Sequence, residues 1–172
     1  MLVAMEKHSH VFVLNGPSSA GKTTLAKALQ DTIGASCVVV SIDHFYECLH
    51  KDAPNNWLLF STLTDAILAT AVAFASQSFD VVIDTVFERE ESLLATQRTL
   101  LGLPHSLIAV TCDLEVLEER ERERGNRRLG LARDQHDRVL QHATYDLQID
   151  TGIDSVKRCV ELVLGQGIRR EN

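Results

Sequence analysis

The sequence predicts one α/β domain built around a parallel sheet, and three observations support that fold class. Apolar runs of strand length alternate along the chain with stretches whose apolar residues recur at helical spacing. The first apolar run leads into a glycine-containing loop and then into an apolar helical pattern, as in a strand–loop–helix unit. The length of 172 residues suits a single domain with a buried core, and no repeat or linker interrupts the chain. Residues 1–172 are therefore expected to form one domain.

The individual strands and helices follow from the same patterns. The predicted strands cover residues 11–14, 37–42, 79–85, 106–110 and 145–149. The predicted helices cover residues 22–33, 60–74, 93–101, 114–124, 136–143 and 156–163. Gly34 and Gly125 are placed to end two of these helices, and Asp113 is placed to cap the start of one. Residues 44–57 are polar, with turn residues and interleaved aromatic side chains, which predicts an irregular connection.

Charge and cysteine usage argue against several classes of protein. The chain has 17 Lys and Arg residues against 24 Asp and Glu residues, a net charge of −7, and no basic tract. Because binding nucleic acid through its phosphates requires positive charge, no nucleic-acid partner is expected. The four cysteines show no C-x-x-C or zinc-like spacing, so we expect free thiols in a reducing cytoplasm. We find no leader pattern and no stretch approaching about 18 apolar residues, so no membrane segment is expected.

The loop after the first strand has the spacing G-x-x-x-x-G-K-[ST], supplied by Gly16, Gly21, Lys22 and Thr23. The glycines allow successive backbone N–H groups to point into one anion-sized hollow, which the N-terminus of the following helix makes more positive. In this pattern the lysine reaches the outer phosphates and the hydroxyl ligates Mg²⁺. The predicted phosphate-binding residues are Gly16, Pro17, Ser18, Ser19, Ala20, Gly21, Lys22, Thr23 and Thr24.

Two aspartates follow strands that should end at the same edge of the sheet as this loop. Asp43 lies just past the second strand, where a carboxylate can accept a proton from a substrate hydroxyl, although it can also cap its own loop. Asp84 ends the apolar run VVID, as does a Walker B carboxylate, so Asp84 and Thr23 are the predicted Mg²⁺ ligands. Glu88, Arg89 and Glu90 follow, and the glutamates are equally well explained as charges at a helix start.

Arginines cluster in a segment of about residues 120–135 that contains two glycines and predicts a lid. A lid arginine that closes over a transferring phosphate stabilises charge and excludes water. Arg122 is expected to lie on a solvated helix face in a pair with Glu118. Three histidines, His44, His136 and His142, are given no role. Phe45, Tyr46 and Trp57 either line an acceptor pocket or pack in the core.

Three stretches of the chain resemble the chloramphenicol phosphotransferase family of P-loop kinases. They are LNGPSSAGKT (14–23), RERERGNRRLGLARDQ (120–135) and YDLQIDT (145–151), and the resemblance extends from about Val11 to Val163. It implies a three-layer P-loop fold with a five-stranded parallel sheet in the order 2-3-1-4-5 and an arginine-rich lid. It also implies ATP as the donor, Mg²⁺ as the cofactor, and transfer of the γ-phosphoryl group to a hydroxyl of a small acceptor.

The resemblance also implies roles for individual residues. Asp43 matches the catalytic aspartate, and Lys22 acts with it at the phosphates. Arg120 and Arg124 resemble an R-x-x-x-R pair in which one arginine lies against adenine and the other on phosphate. Arg127 is the implied lid arginine. The turn at residues 150–155 borders adenine, with Asp150 and Thr151 as its implied nucleotide-binding residues. The implied catalytic set is Asp43, Lys22, Arg124 and Arg127.

Two departures from the family pattern leave the acceptor open. Pro17 stands where the family usually has glycine, and residues 44–78 are shorter than the family's acceptor segment and do not resemble it closely. An antibiotic such as chloramphenicol is therefore one acceptor among others. The sequence SIDHFY also resembles uridine-kinase-like proteins, which makes a nucleoside or metabolite kinase the first alternative. A nucleotide-binding switch without an acceptor is the second, although the absence of N-K-x-D argues against GTP. The oligomeric state is open, with a homodimer or larger assembly possible.

Overall fold

The computed structural model describes residues 9–54, 56–125, 129–141 and 143–168, with the backbone alone for 166–168. Five parallel strands form one sheet in the order β2-β3-β1-β4-β5. The strands are β1 (Val11–Asn15), β2 (Cys37–Ser41), β3 (Asp80–Asp84), β4 (His105–Thr111) and β5 (Leu147–Asp150). The helices are α1 (Lys22–Ile33), α2 (Ile42–Glu47), α3 (Trp57–Ala75), α4 (Glu90–Thr99), α5 (Leu114–Arg124), α6 (Leu131–His136) and α7 (Val156–Ile168). The predicted fold class and sheet order are confirmed.

Alternation along the strands divides the core into two layers, one on each face of the sheet. On β1, Phe12 and Leu14 pack in one layer, and Val11 and Val13 pack in the other. The first layer includes buried residues of α1, α5 and α7, and the second includes residues of α2, α3 and α4. Both faces of the sheet are thus covered by helices, and the central strand β1 is buried along its whole length.

The strand register brings the predicted chemistry to one edge. Leu14 pairs with Asp84, and Ser41 pairs with the same residue from the other side. Thr111 pairs with Asp150 at the same end of β4 and β5. Because all five strands are parallel, the segments that follow them emerge together. The loop after β1, the helix after β2 and the loop after β3 therefore enclose a common space.

The structure corrects three local predictions. Residues 42–47 form the short helix α2, where an irregular connection was expected, because Ser41 accepts a hydrogen bond from the Asp43 backbone N–H and caps the helix. The helix predicted at 136–143 lies earlier, at 131–136, where the buried Glu121 carboxylate accepts hydrogen bonds from two backbone N–H groups at its start. Asp113 takes the N-cap position of α5, but its side chain makes no capping hydrogen bond.

Helix α3 is long and apolar enough to cross a membrane by length and composition, which the search for apolar stretches did not anticipate. Its inner face, which includes Leu63, Ile67 and Ala71, is buried in the second core layer beside β2 and β3. Core helices of globular proteins reach the same length and apolar composition.

Candidate active site

The loop from Gly16 to Gly21 has the backbone that the glycine pattern requires. A Cβ atom at Gly16 would lie 2.1 Å from the Val110 carbonyl oxygen, so no other residue fits without a shift of the strand. Gly21 has a φ of 88°, in the left-handed region that favours glycine. The Lys22 ammonium group donates hydrogen bonds to the carbonyl oxygens of Gly16 and Pro17, at 2.8 and 2.9 Å. The lysine therefore spans the mouth of the loop.

Thr23 and Asp84 are in contact at the carboxyl edge of the sheet, beside the P-loop. The Thr23 hydroxyl donates a hydrogen bond of 2.7 Å to a carboxylate oxygen of Asp84, which is buried. A hydroxyl and a carboxylate at this distance beside a phosphate-binding loop are the oxygen ligands that Mg²⁺ uses with substrate phosphates. The donor set fits Mg²⁺, which in such sites takes one or two protein ligands and completes its octahedral shell with water and substrate oxygens.

Arg120 is held against the back of the loop through Thr151. Its guanidinium donates to the hydroxyl and to the carbonyl oxygen of Thr151, each at 3.0 Å, and the Thr151 hydroxyl donates to the Ala20 carbonyl oxygen at 2.8 Å. Helix α5, the turn after β5 and the P-loop are thereby joined. The Asp150 carboxylate accepts a hydrogen bond from the Gly152 N–H and closes this turn, and its nucleotide-binding role stays a prediction.

A cavity of about 1110 Å³ opens beside the loop. Its donor half is enclosed by the P-loop, the start of α1, α5 and the turn before α7. Its acceptor half is enclosed by α2, the loop that follows α2, the start of α3 and the segment after β3. Asp43 lines the acceptor half, in the first turn of α2, and Asp84 lies between the halves. The structure thus brings the predicted base, the metal ligands and the phosphate loop to one cavity large enough for two small molecules.

Gln135 is a residue that the sequence analysis did not single out as part of the site. Its carbonyl oxygen accepts a hydrogen bond of 2.7 Å from the Ser18 backbone N–H, and its amide nitrogen donates to a Glu88 carboxylate oxygen at 2.7 Å. Gln135 is buried and lines the cavity. Its place in the sequence between the arginine cluster and YDLQIDT was the available signal. Glu88 also faces the cavity and is not part of α4, in contrast to its interpretation as a helix-start charge.

The lid prediction is tested only in part by the described residues. Arg124 is exposed at the end of α5 and lines the donor half of the cavity, and its catalytic role stays a prediction. Arg127 lies outside the described residues, so its role stays a prediction, as does the arginine-rich lid. Glu118 pairs with Arg133 at 2.7 Å, not with Arg122 as predicted.

The aromatic residues of the acceptor segment take separate places. Tyr46 lines the cavity, whereas Phe45 packs against the second core layer. Trp57 stacks on Phe60, which lines the cavity, and the Arg89 guanidinium lies 3.9 Å over the Trp57 ring. Burial raises the pKa of the Tyr46 phenol, and the carboxylates of Asp43 and Glu88 raise it further. His142 lies outside the described residues.

Comparisons with known proteins agree with this geometry. The family model described as chloramphenicol phosphotransferase-like protein matches residues 9–166. An O-phosphotransferase candidate from two strains of Mycobacterium tuberculosis is 27% identical over 169 positions, covering 82% of this chain and 74% of that protein.

Two solved structures illustrate the shared fold. The APS kinase of Mycobacterium tuberculosis, solved with AMPPNP and APS, has a TM-score of 0.78 at 14% identity and covers 92% of this chain and 97% of its own. A gluconokinase of Sinorhizobium meliloti has a TM-score of 0.63 at 14% identity, with 96% and 95% covered. These likenesses show the fold of P-loop kinases. The family match over residues 9–166 shows that this chain belongs to the chloramphenicol phosphotransferase-like family.

Proposed function

We propose that this protein is an ATP-dependent kinase that transfers the γ-phosphoryl group to a hydroxyl of a small molecule. The observation that supports this most directly is the single cavity that joins the P-loop and the Thr23–Asp84 pair to Asp43. A nucleotide-binding switch would need only the donor half. The acceptor half, with a carboxylate at its inner end, favours an enzyme with a second substrate.

The donor half would hold ATP. The Lys22 ammonium and the backbone N–H groups of the loop and of the first turn of α1 would bind its phosphates. Ser18 and Ala20 are exceptions, because their N–H groups donate to the Gln135 side chain and to the Pro17 carbonyl oxygen. Arg120 and Thr151 would border the base. Thr23 and Asp84 would hold Mg²⁺, which neutralises charge on the phosphate oxygens when bound.

Asp43 would act as the general base on the acceptor. Its carboxylate would take the proton of the acceptor hydroxyl as the hydroxyl oxygen forms a bond to the γ-phosphorus. The bond from that phosphorus to the bridging oxygen breaks, and the electron pair leaves with ADP. Lys22 and Arg124, with Arg127 from the predicted lid, would stabilise the charge that develops on the transferring oxygens.

Several acceptor classes are compatible with this mechanism. The family supports an antibiotic such as chloramphenicol, and the SIDHFY sequence around Asp43 supports a nucleoside or related metabolite. The net charge of −7 supports a small molecule over nucleic acid as the partner. We also propose a cytoplasmic location, where ATP is available.

An assay of ADP release tests the proposal. ATP consumption is measured with Mg²⁺, with and without amphenicols, aminoglycosides, nucleosides and vitamins. Stimulation by at least one class is expected and would name the acceptor class. The proposal fails if no class stimulates consumption, a result that would favour the nucleotide-binding switch.

A further inference from the structure

The acceptor half of the cavity combines negative charge with an apolar wall. Asp43 and Glu88 contribute carboxylates, and Leu49, Pro54 and Leu59 contribute apolar surface. Among the described residues that line this half, the fixed cation is Lys51, which is exposed on the loop after α2. Arg89 follows Glu88 in the chain, but its guanidinium stacks on the ring of Trp57 and it does not line the cavity.

Glu88 keeps capacity to accept a further hydrogen bond. Gln135, which is neutral, donates to Oε1 at 2.7 Å. On the other oxygen, Oε2, the Arg138 guanidinium stands 3.7 Å away, which is longer than a hydrogen bond, and its side chain is 48% exposed. Arg138 therefore makes no hydrogen bond to Oε2, and this oxygen can accept one from a ligand in the cavity.

Tyr46 lies near the carboxylates of Asp43 and Glu88 and adds an aromatic surface to the cavity wall. The two carboxylates contribute to the raised pKa of its phenol, after burial, so both act at this point of the wall. Phe60 lines the same half of the cavity. Aromatic faces beside carboxylates attract a positively charged group and repel an anion.

Thr85 supplies a separate sign that this half receives a polar ligand. Its N–H donates to the Leu14 carbonyl oxygen at 3.3 Å, so Thr85 extends the hydrogen bonding of β3 by one residue. Because side chains alternate along a strand, that of Thr85 lies on the same face as Ile83, toward the second core layer. Thr85 is 2% exposed and lines the cavity, yet its hydroxyl has no hydrogen-bond partner among the residues that the structure describes. Because a buried hydroxyl without a partner costs free energy, the group is best explained by a ligand that satisfies it.

We propose that the acceptor is an amino alcohol with an apolar body. Its hydroxyl meets Asp43, and its ammonium group binds Glu88 and the Thr85 hydroxyl beside the aromatic faces of Tyr46 and Phe60. An alcohol that carries a phosphate, sulfate or carboxylate group would place that anion against the carboxylates of Asp43 and Glu88. The fixed cation that the described residues of this half offer it is the exposed Lys51. This inference rests on the proposed kinase function and assigns the substrate class of the same site.

Three matched alcohols test the assignment. Phenylethanolamine, methyl phenyl carbinol and mandelate share one phenyl carbinol and differ in a cationic, neutral or anionic neighbouring group. Each is assayed for phosphoester formation at saturating ATP and Mg²⁺, with the protein as it is and with Glu88→Gln. This variant keeps an oxygen for Gln135 and removes the charge. Thr85→Val serves as a second variant, because it removes the partnerless hydroxyl at nearly constant volume.

The amine is expected to exceed the other two alcohols in kcat/KM by about tenfold or more, the effect of one charge-assisted contact. Glu88→Gln should remove most of this preference without changing the KM for ATP, and Thr85→Val should weaken use of the amine by about threefold or more without loss of stability. Preference for the neutral or anionic alcohol, or an unchanged preference in Glu88→Gln, overturns the assignment and leaves the kinase standing. If no alcohol of any class receives phosphate, the kinase proposal fails and this inference fails with it.

Discussion

At the scale of single residues, Asp43 is the proposed proton acceptor, and other groups are proposed to bind phosphate. Asp43→Asn should therefore lower turnover by about 10²-fold or more while ATP affinity stays unchanged. Steady-state kinetics and calorimetric titration with ATP measure the two effects separately. Asp65→Asn, which changes an exposed carboxylate on the outer face of α3, is the matched control and should change neither. Normal turnover in Asp43→Asn would remove Asp43 from the mechanism.

Thr23 is expected to act through its hydroxyl, which reaches Asp84 at 2.7 Å. Thr23→Val should weaken ATP binding in Mg²⁺ by about tenfold or more, because one oxygen ligand is lost. Without divalent metal, the variant and the original protein should bind ATP nearly equally. Thr23→Ser retains the hydroxyl and should behave like the original protein in both conditions. Equal losses with and without Mg²⁺ would show that Thr23 does not serve the metal.

How much of the site could be predicted depended on whether a residue belongs to a local pattern. Lys22 and Thr23 have fixed spacing in one loop, and Asp84 ends an apolar strand, so local sequence sufficed for them. Gln135 contacts Ser18, which is 117 residues away in the chain, and no local sequence pattern predicts such a contact. Thr85 can be identified as a candidate site residue only from the structure, where its buried hydroxyl has no hydrogen-bond partner among the described residues.

At the scale of elements, Glu121 joins α5 to α6. Its carboxylate is 2% exposed and accepts hydrogen bonds from the N–H groups of Gly130 and Ala132 at 2.7 and 2.9 Å. Glu121→Gln places an amide NH₂ where an N–H already points, so we expect the free energy of unfolding to fall by about 1–3 kcal/mol. Urea unfolding measures this loss, and the exposed Glu119→Gln on the same helix is the control. Equal stability of the two variants would contradict the anchoring role.

The position of α6 shows why helix boundaries were harder to predict than strands. The apolar strands lie in the sheet with both faces covered, so their composition alone identifies them. Helix α6 instead begins where a carboxylate from α5 satisfies its first N–H groups, a tertiary contact that periodicity does not contain. The apolar spacing from His136 to Ala143 therefore predicted a helix too late in the chain, because α6 already ends at His136.

At the scale of the whole molecule, the buried thiol of Cys159 and the partly buried phenol of Tyr145 should make the free energy of unfolding fall at alkaline pH. Burial and the nearby Asp154 carboxylate raise the pKa of Cys159 above its ordinary value of 9.0, and burial raises that of Tyr145 above 10.0. The unfolded chain therefore releases these protons at lower pH than the folded protein does. The free energy of unfolding should be fully retained below the ordinary thiol value and should fall as pH rises beyond it.

Urea unfolding between about pH 8 and about pH 11 measures this fall. Cys159→Ala should lose the earliest part of the decrease, whereas Cys48→Ala, which removes an exposed thiol, should retain it. Stability that rises across this pH range would contradict the burial of both groups.

The central claim, that the cavity transfers phosphate from ATP to an alcohol, is tested most directly by ³¹P NMR. The protein is incubated with ATP, Mg²⁺ and an acceptor that stimulates ADP release, in parallel with Asp43→Asn. The account predicts a new phosphomonoester resonance that grows in equal amount with ADP and is nearly absent in Asp43→Asn. ADP accompanied only by inorganic phosphate, or a phosphoester formed equally fast by Asp43→Asn, would contradict it.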